Sequence, residues 1–356
     1  MSVGEQNKPK QSLVIVQSGT AIKDWCTPLI SPHLLTIKND GKTYAEKHVS
    51  YSMINLILGN PKDVHVIHLT NALREANSTV VQLNTRLLPI QVKASWESET
   101  EKSYLFLADN YKLNIESIHS IFLRRISEPY IPPLDNAKQE RIALDDSTTT
   151  LRVILKSSPA FWVNSWEISY RIHEEKPLQL SNAKKLGIKV PATLTTNDPE
   201  QVIKFVESKE RVIFKPVCGG AWTQFVTNFH LDPKRLSLAL KISPVTFQEY
   251  IAGTNIRTYV IDESVYSAEV KSESVDFRQD KTSQLIPVNL PERIREQSLD
   301  IARNFGLLWT AIDWRLDPAG EYVFLEANSN PVFLYFERQT GFPVTQELVK
   351  LLTKVR

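Results

Sequence analysis

Cysteine is nearly absent from this 356-residue chain. The two present, Cys26 and Cys218, lie far apart, which excludes a disulfide framework and a CxxC zinc cluster and points to a reducing compartment. Charge of one sign is missing too: 42 Lys and Arg stand against 40 Asp and Glu, so a net charge of +2 lacks the footprint of a nucleic-acid binder. No stretch approaches the ~20 apolar residues of a membrane span, and the polar N-terminus from Met1 to Gln11 has no signal-peptide core. The expectation is a cytoplasmic protein with neither nucleic acid nor membrane as partner. There is no GK[ST] ending of a Walker A loop and no persuasive Ser-His-Asp or Cys-His pattern. Repeats and low-complexity tracts are also lacking.

What is present reads as a globular α/β protein. At 42% hydrophobic and 23% charged residues, the chain has room for two or three units of about 100–200 residues. Residues 1–11 read as a disordered tail and Leu13–Val16 as a short strand. Val66, Leu69, Leu73 and Ala76 share a helical face closed by Asn77, followed by strands at 79–83, 104–107 and 118–123. The last strand runs into Arg124-Arg125 and a proline-rich loop to Pro133, where the arginine pair is either an anion contact or simply solvated. His65 and His68 read as structural rather than metal-binding. We expect an N-terminal α/β domain over 12–158, a central unit over 159–245 and a C-terminal unit over 246–356.

Pro177 suits the first turn of a helix that begins at Lys176, places Leu178, Ala183 and Leu186 on one face and ends at Gly187. Asp198 and Pro199 start another helix, which runs to about Glu207. The apolar strand Arg211–Lys215 carries its lysine into Gly219-Gly220, a turn able to aim N–H groups at phosphate oxygens but equally common in hairpins. Near the end, two apolar runs joined at 317–320 bear Asp313 on one and Glu326 and Asn328 on the other. Glu326 and Asn328, two residues apart in a strand, point to one face, so the three side chains are either a site for a hard cation such as Mg²⁺ or a solvated hairpin face.

The order of these motifs, with Gln248-Glu249-Tyr250-Ile251 and Arg257 between them, resembles the ATP-grasp superfamily. The resemblance implies an α/β (α+β) protein in which two α+β subdomains clamp ATP behind an α/β N-terminal, or pre-ATP-grasp, domain. It implies that Lys176 and Lys215 contact phosphates under the loop Gly219-Gly220, and that main-chain atoms of Glu249 and Ile251 hold adenine beside Tyr250. Asn255 falls where relatives bind ribose with an acidic residue. Arg257 would stabilise the transferring phosphoryl group or acyl phosphate, and Asp313, Glu326 and Asn328 would hold Mg²⁺.

Within the superfamily the chain resembles the RimK-like enzymes, above all the microviridin-type (graspetide) peptide maturases. The likeness rests on Arg124-Arg125 followed by prolines, on Val163-Asn164 leading to Lys176, on the segment 274–278 with Asp276 and Arg278, and on Thr340-Gly341-Phe342-Pro343. It implies a leader-core precursor peptide as partner, a homodimer, contacts from Arg124 and Arg125, and an acceptor pocket near Arg257, Asp276 and Arg278. Residues 1–62 depart from the pattern, as does Asn330 in Asn328-Ser329-Asn330-Pro331. The implied reaction is closure of ω-ester or ω-amide crosslinks on activated Asp or Glu side chains. Alternatives are a RimK-like ligase adding an amino acid to a carboxylate and a non-catalytic ATP-binding module.

Overall fold

In a computed structural model, residues 53–355 are described apart from 109, 110, 273, 275 and 281, with only the backbone of Arg278. The expected tail at 1–11, the strand at 13–16 and Cys26 lie outside the described residues. Near-continuous apolar runs build the first layer: β1 (Ile54–Leu58), β2 (Thr79–Leu83), β6 (Ile118–Leu123) and β7 (Phe161–Val163) form a parallel sheet in the order β2-β1-β6-β7. Parallel strands need crossovers, supplied by α1 (Val64–Glu75) and α2 (Ala137–Lys156). A small antiparallel sheet of β3 (Lys93–Glu97), β4 (Lys102–Phe106) and β5 (Lys112–Asn114) lies between β2 and β6 in the chain.

Helix α1 follows the apolar pattern read from sequence. Val66, Leu69 and Leu73 are fully buried, whereas Ala76 is the exposed C-cap, and Asn77 turns left-handed with φ 59°. Asp63 caps its start by accepting from the His65 N–H at 2.8 Å. His65 packs 4.8 Å from the ring of Phe333, and His68 shares a 3.0 Å hydrogen bond with Thr345 Oγ1, so both histidines serve packing. Strand β7 pairs with β6, so the N-terminal sheet continues past residue 158 to Val163.

The next elements are α3 (Trp166–Glu174), α4 (Lys176–Lys185), β8 (Thr193–Thr196), α5 (Pro199–Glu207), β9 (Val212–Pro216), β10 (Gln224–Phe225), α6 (Pro233–Ile242) and β11 (Val245–Glu249). Their strands make an antiparallel sheet, β10-β9-β11-β8, over a core of Val202, Val212, Leu236, Leu240 and Phe247. Asp198 and Pro199 start α5 as expected, with the Asp198 carboxylate accepting from the Glu200 N–H at 2.9 Å. The expected face of α4 needs correction. Leu178 is 53% and Leu186 37% exposed, while Gln179 and Ala183 are buried, because the helix packs on the last sheet through residues 176, 179 and 183.

That last sheet contains β12 (Thr254–Ile261), β13 (Ser264–Lys271), β14 (Gln284–Pro287), β15 (Trp309–Leu316) and β16 (Tyr322–Asn328) in the antiparallel order β14-β13-β12-β15-β16. Helices α7 (Glu292–Phe305), α8 (Leu334–Thr340) and α9 (Val344–Thr353) pack against it. Trp309, Trp314, Tyr259, Phe305 and Phe324 are almost wholly buried and make a rigid aromatic support for the sheet. The chain is thus mixed α/β, with an α/β domain preceding two α+β layers.

Candidate active site

A cleft of about 340 Å³ opens between the sheet of β8–β11 and the sheet of β12–β16. Strand pairing dictates its floor. Arg257 on β12 stands opposite Asp313 on β15, and Asp313 stands opposite Glu326 on β16, so the three side chains form a row across three strands. A bulge at Leu325 shifts the register, so that Phe324 still opposes Trp314 in the core while Glu326 joins the cleft. Asn328, two residues on, donates from Nδ2 to Asp313 Oδ2 at 3.2 Å and to Glu326 Oε1 at 3.5 Å. The two carboxylates lie in reach of one amide, and turning that amide to present its oxygen would complete an all-oxygen donor set that suits Mg²⁺.

Cations flank the carboxylates. Arg257 Nη1 lies 2.7 Å from Asp313 Oδ1, Lys176 Nζ lies 3.0 Å from Glu326 Oε2, and Lys215 Nζ donates to Gln248 Oε1 at 3.2 Å. Burial alone would lower the Arg257 pKa, but Asp313 and Tyr259 outweigh it and hold the guanidinium firmly charged. Burial pushes the Tyr259 phenol up, against the pull of Arg257, so it stays protonated beside the guanidinium.

The segment 249–255 links the two layers. The Glu249 N–H donates to Ala192 O at 2.9 Å, and its carboxylate accepts from the Ala192 N–H at 3.2 Å. Arg315, opposite Asn255, clips this segment by donating to Ile251 O at 3.0 Å, Asn255 Oδ1 at 2.9 Å and Gly253 O at 2.7 Å. Gly253 has φ 121°, and a Cβ there would sit 2.0 Å from Leu316 O, so only glycine permits this approach.

Most residues singled out from sequence line one cleft: Lys176, Lys215, Gly219, Glu249, Tyr250, Ile251, Asn255, Arg257, Asp276, Asp313, Glu326 and Asn328. Gly220 continues the glycine loop, both glycines having positive φ. Buried Asp276 accepts from the Thr223 N–H at 3.3 Å and so ties the β13–β14 connection to the end of that loop. Arg278 lies in a short 3₁₀ turn at 277–279. Arg124 and Arg125 are not among the residues lining the cleft. Arg124 instead pairs with Asp63 at 3.2 Å and donates to Asn330 O at 3.1 Å, while Arg125 is exposed.

Three residues support the site, of which Gln179 and Arg315 were not singled out from sequence and Asn164 was noted only as part of the family resemblance. The buried Gln179 amide brackets Ala327, accepting from its N–H at 2.8 Å and donating to its carbonyl at 3.2 Å, and thereby holds the residue between Glu326 and Asn328. Asn164 donates to Trp309 O at 2.7 Å and Ser329 O at 2.8 Å, and accepts from the Leu308 N–H at 2.8 Å. Arg315 is the third. Its signal was its position two residues from Asp313 on one strand face, and Gln179 was similarly marked by lying three residues from Lys176 on one helix face.

Residues 55–169 match the MvdD pre-ATP grasp domain, and residues 174–352 match the RimK-like ATP-grasp domain. The crystal structure of macrocyclase MdnC from Microcystis aeruginosa MRC, bound with precursor peptide MdnA, is 26% identical with TM-score 0.76, covering 85% of this chain and 100% of that one. ATP-grasp ligase PsnB, complexed with a phosphomimetic variant of minimal precursor, Mg and ADP, is 27% identical with TM-score 0.73, covering 84% and 97%. The alpha-aminoadipate–LysW ligase LysX of Sulfurisphaera tokodaii is 25% identical over 194 residues, 50% of this chain and 66% of that protein, just under two thirds of its length.

Proposed function

This chain belongs to the RimK-like ATP-grasp family of ligases, joined to an MvdD-type pre-ATP-grasp domain, and from that premise we propose that it closes ω-ester or ω-amide crosslinks in a ribosomal precursor peptide. The observation that carries the reading is the row Arg257, Asp313, Glu326, flanked by Lys176 and Lys215, inside a chain similar throughout its described length to peptide macrocyclases. Asp313, Glu326 and Asn328 would hold Mg²⁺, which when bound neutralises phosphate charge.

The chain's own residues do the rest. The Glu249 N–H is spent on Ala192 and the Ile251 carbonyl on Arg315, so an adenine edge is read by the Glu249 carbonyl and the Ile251 N–H beside Tyr250. Asn255, oriented by Arg315, faces the ribose. Lys176 and Lys215 bind phosphates under the glycine loop. Attack of a peptide carboxylate oxygen on the γ-phosphorus breaks the bond to the β–γ bridging oxygen and releases ADP, and Arg257 neutralises the like charges that this step brings together. A Ser, Thr or Lys side chain then attacks the acyl carbon and phosphate leaves. Asp276 and Arg278 border the acceptor. A homodimer and a cytoplasmic setting belong to the same proposal.

The decisive experiment combines purified protein, ATP, Mg²⁺ and the peptide encoded beside its gene. ADP release with loss of one water per crosslink is expected; ADP release without water loss would sink the macrocyclase reading. The likeness to LysX favours one second reading, addition of an amino acid to a carboxylate, and a gain in peptide mass would identify it.

A further inference from the structure

Outside the cleft, a mixed donor set collects at its mouth. Helix α3 ends in His173 and Glu174, and the loop after β9 brings Cys218 to them, with Cys218 Sγ 3.5 Å from Glu174 Oε2. One imidazole nitrogen, one carboxylate oxygen and the thiol sulfur all lie within 4.8 Å of one another, and among the described residues this is the group of metal-ligating side chains so arranged. None of the three lines the cleft, and the proposed ligase reaction uses none of them.

We propose that His173, Glu174 and Cys218 form a binding site for a borderline divalent cation of the zinc class. Nitrogen, oxygen and sulfur donors from three side chains match the ligand set of an open zinc site, with water in the fourth position. A thiolate selects against Mg²⁺, which prefers hard oxygen, so this site and the Asp313–Glu326 site discriminate by donor chemistry alone. Contraction from 4.8 Å to coordination geometry falls on the loop. A Cβ at Gly219 or Gly220 would meet nothing within 4 Å, so the glycines beside Cys218 have room to move.

Position gives the site a consequence. Cys218 immediately precedes Gly219-Gly220, and Glu174 lies two residues before Lys176. A cation bridging them staples the glycine loop to the end of α3, beside the lysine that pairs with Glu326. Zinc occupancy then restrains the loop and weakens ATP binding. That consequence rests on the proposed ATP site, whereas the cation site itself does not.

The test uses the full chain, stripped of metal and reduced, titrated with cobalt(II) chloride as a spectroscopic stand-in for zinc. One equivalent of Co²⁺ is expected to produce a near-ultraviolet thiolate-to-cobalt band with visible bands of a four-coordinate site, and zinc chloride should abolish both. Cys218→Ser should lose the thiolate band, Cys26→Ser should keep it, and His173→Ala should weaken binding by about tenfold or more. Zinc should also protect Cys218 from iodoacetamide, read by peptide mass. Absence of a thiolate band, or its survival in Cys218→Ser, overturns the site. A normal band with ATP affinity unchanged by zinc overturns only the staple.

Discussion

Arg257 and Asp313 face each other across neighbouring strands, with one guanidinium nitrogen 2.7 Å from Oδ1 and 3.0 Å from Oδ2 of the carboxylate. Their side chains are only 13% and 14% exposed, so neither charge is well solvated without the other. Under the proposed reaction both have second partners, phosphoryl oxygens for the arginine and Mg²⁺ for the aspartate. The pair keeps the floor of the cleft neutral and each member positioned for exchange.

Removing one partner strands the other charge. Arg257→Met is expected to cost about 3 kcal/mol of stability in urea denaturation, and adding Asp313→Leu should recover most of it. Neither variant should turn over ATP. If the single variant is as stable as the parent, the pair does not matter to the fold.

Lys215→Ala and Glu326→Ala should abolish ADP release while leaving the circular dichroism spectrum unchanged. Both side chains face the cleft rather than the core. Global unfolding of either variant would show that these residues act in structure instead of chemistry.

Gln179 is expected to position the Glu326-Ala327-Asn328 segment. Gln179→Ala leaves the Ala327 amide group without its buried partners, at a cost of about 1–3 kcal/mol. The apparent Mg²⁺ requirement for turnover should rise more than the KM for ATP. Equal rises in both would mean that Gln179 merely holds α4 to the sheet.

Acid should unlock the N-terminal packing at His65. Burial, then Arg124, lowers its pKa from 6.5 to about 4, against the opposing pull of Asp63. The folded state therefore favours the neutral ring. Its contribution is fully present above pH 6.5 and drains away as pH falls from 6.5 towards 4, because the unfolded chain takes up the proton first. Urea midpoints should decline across that window, and His65→Leu should flatten the decline. A parent profile as flat as that of the variant would refute the assignment.

Local patterns carried much of this protein. Helix α1, the Asp198 cap of α5 and the strands at 79–83 and 118–123 follow from apolar spacing and turn chemistry, which act over a few residues. The α4 face was misread because its partner, a sheet built from the far end of the chain, buries Gln179 for hydrogen bonding rather than Leu178 for hydrophobicity.

From the amino-acid sequence alone come the cationic and oxygen-bearing side chains in order, Lys176 through Asn328, and the family resemblance which that order carries. Only the tertiary structure decided which of them meet. Cross-strand register set Arg257 beside Asp313 and Asp313 beside Glu326, the bulge at Leu325 turned Glu326 into the cleft, and chain path kept Arg124 and Arg125 out of it. Register and bulges depend on pairing between segments distant in sequence, and no local pattern encodes them.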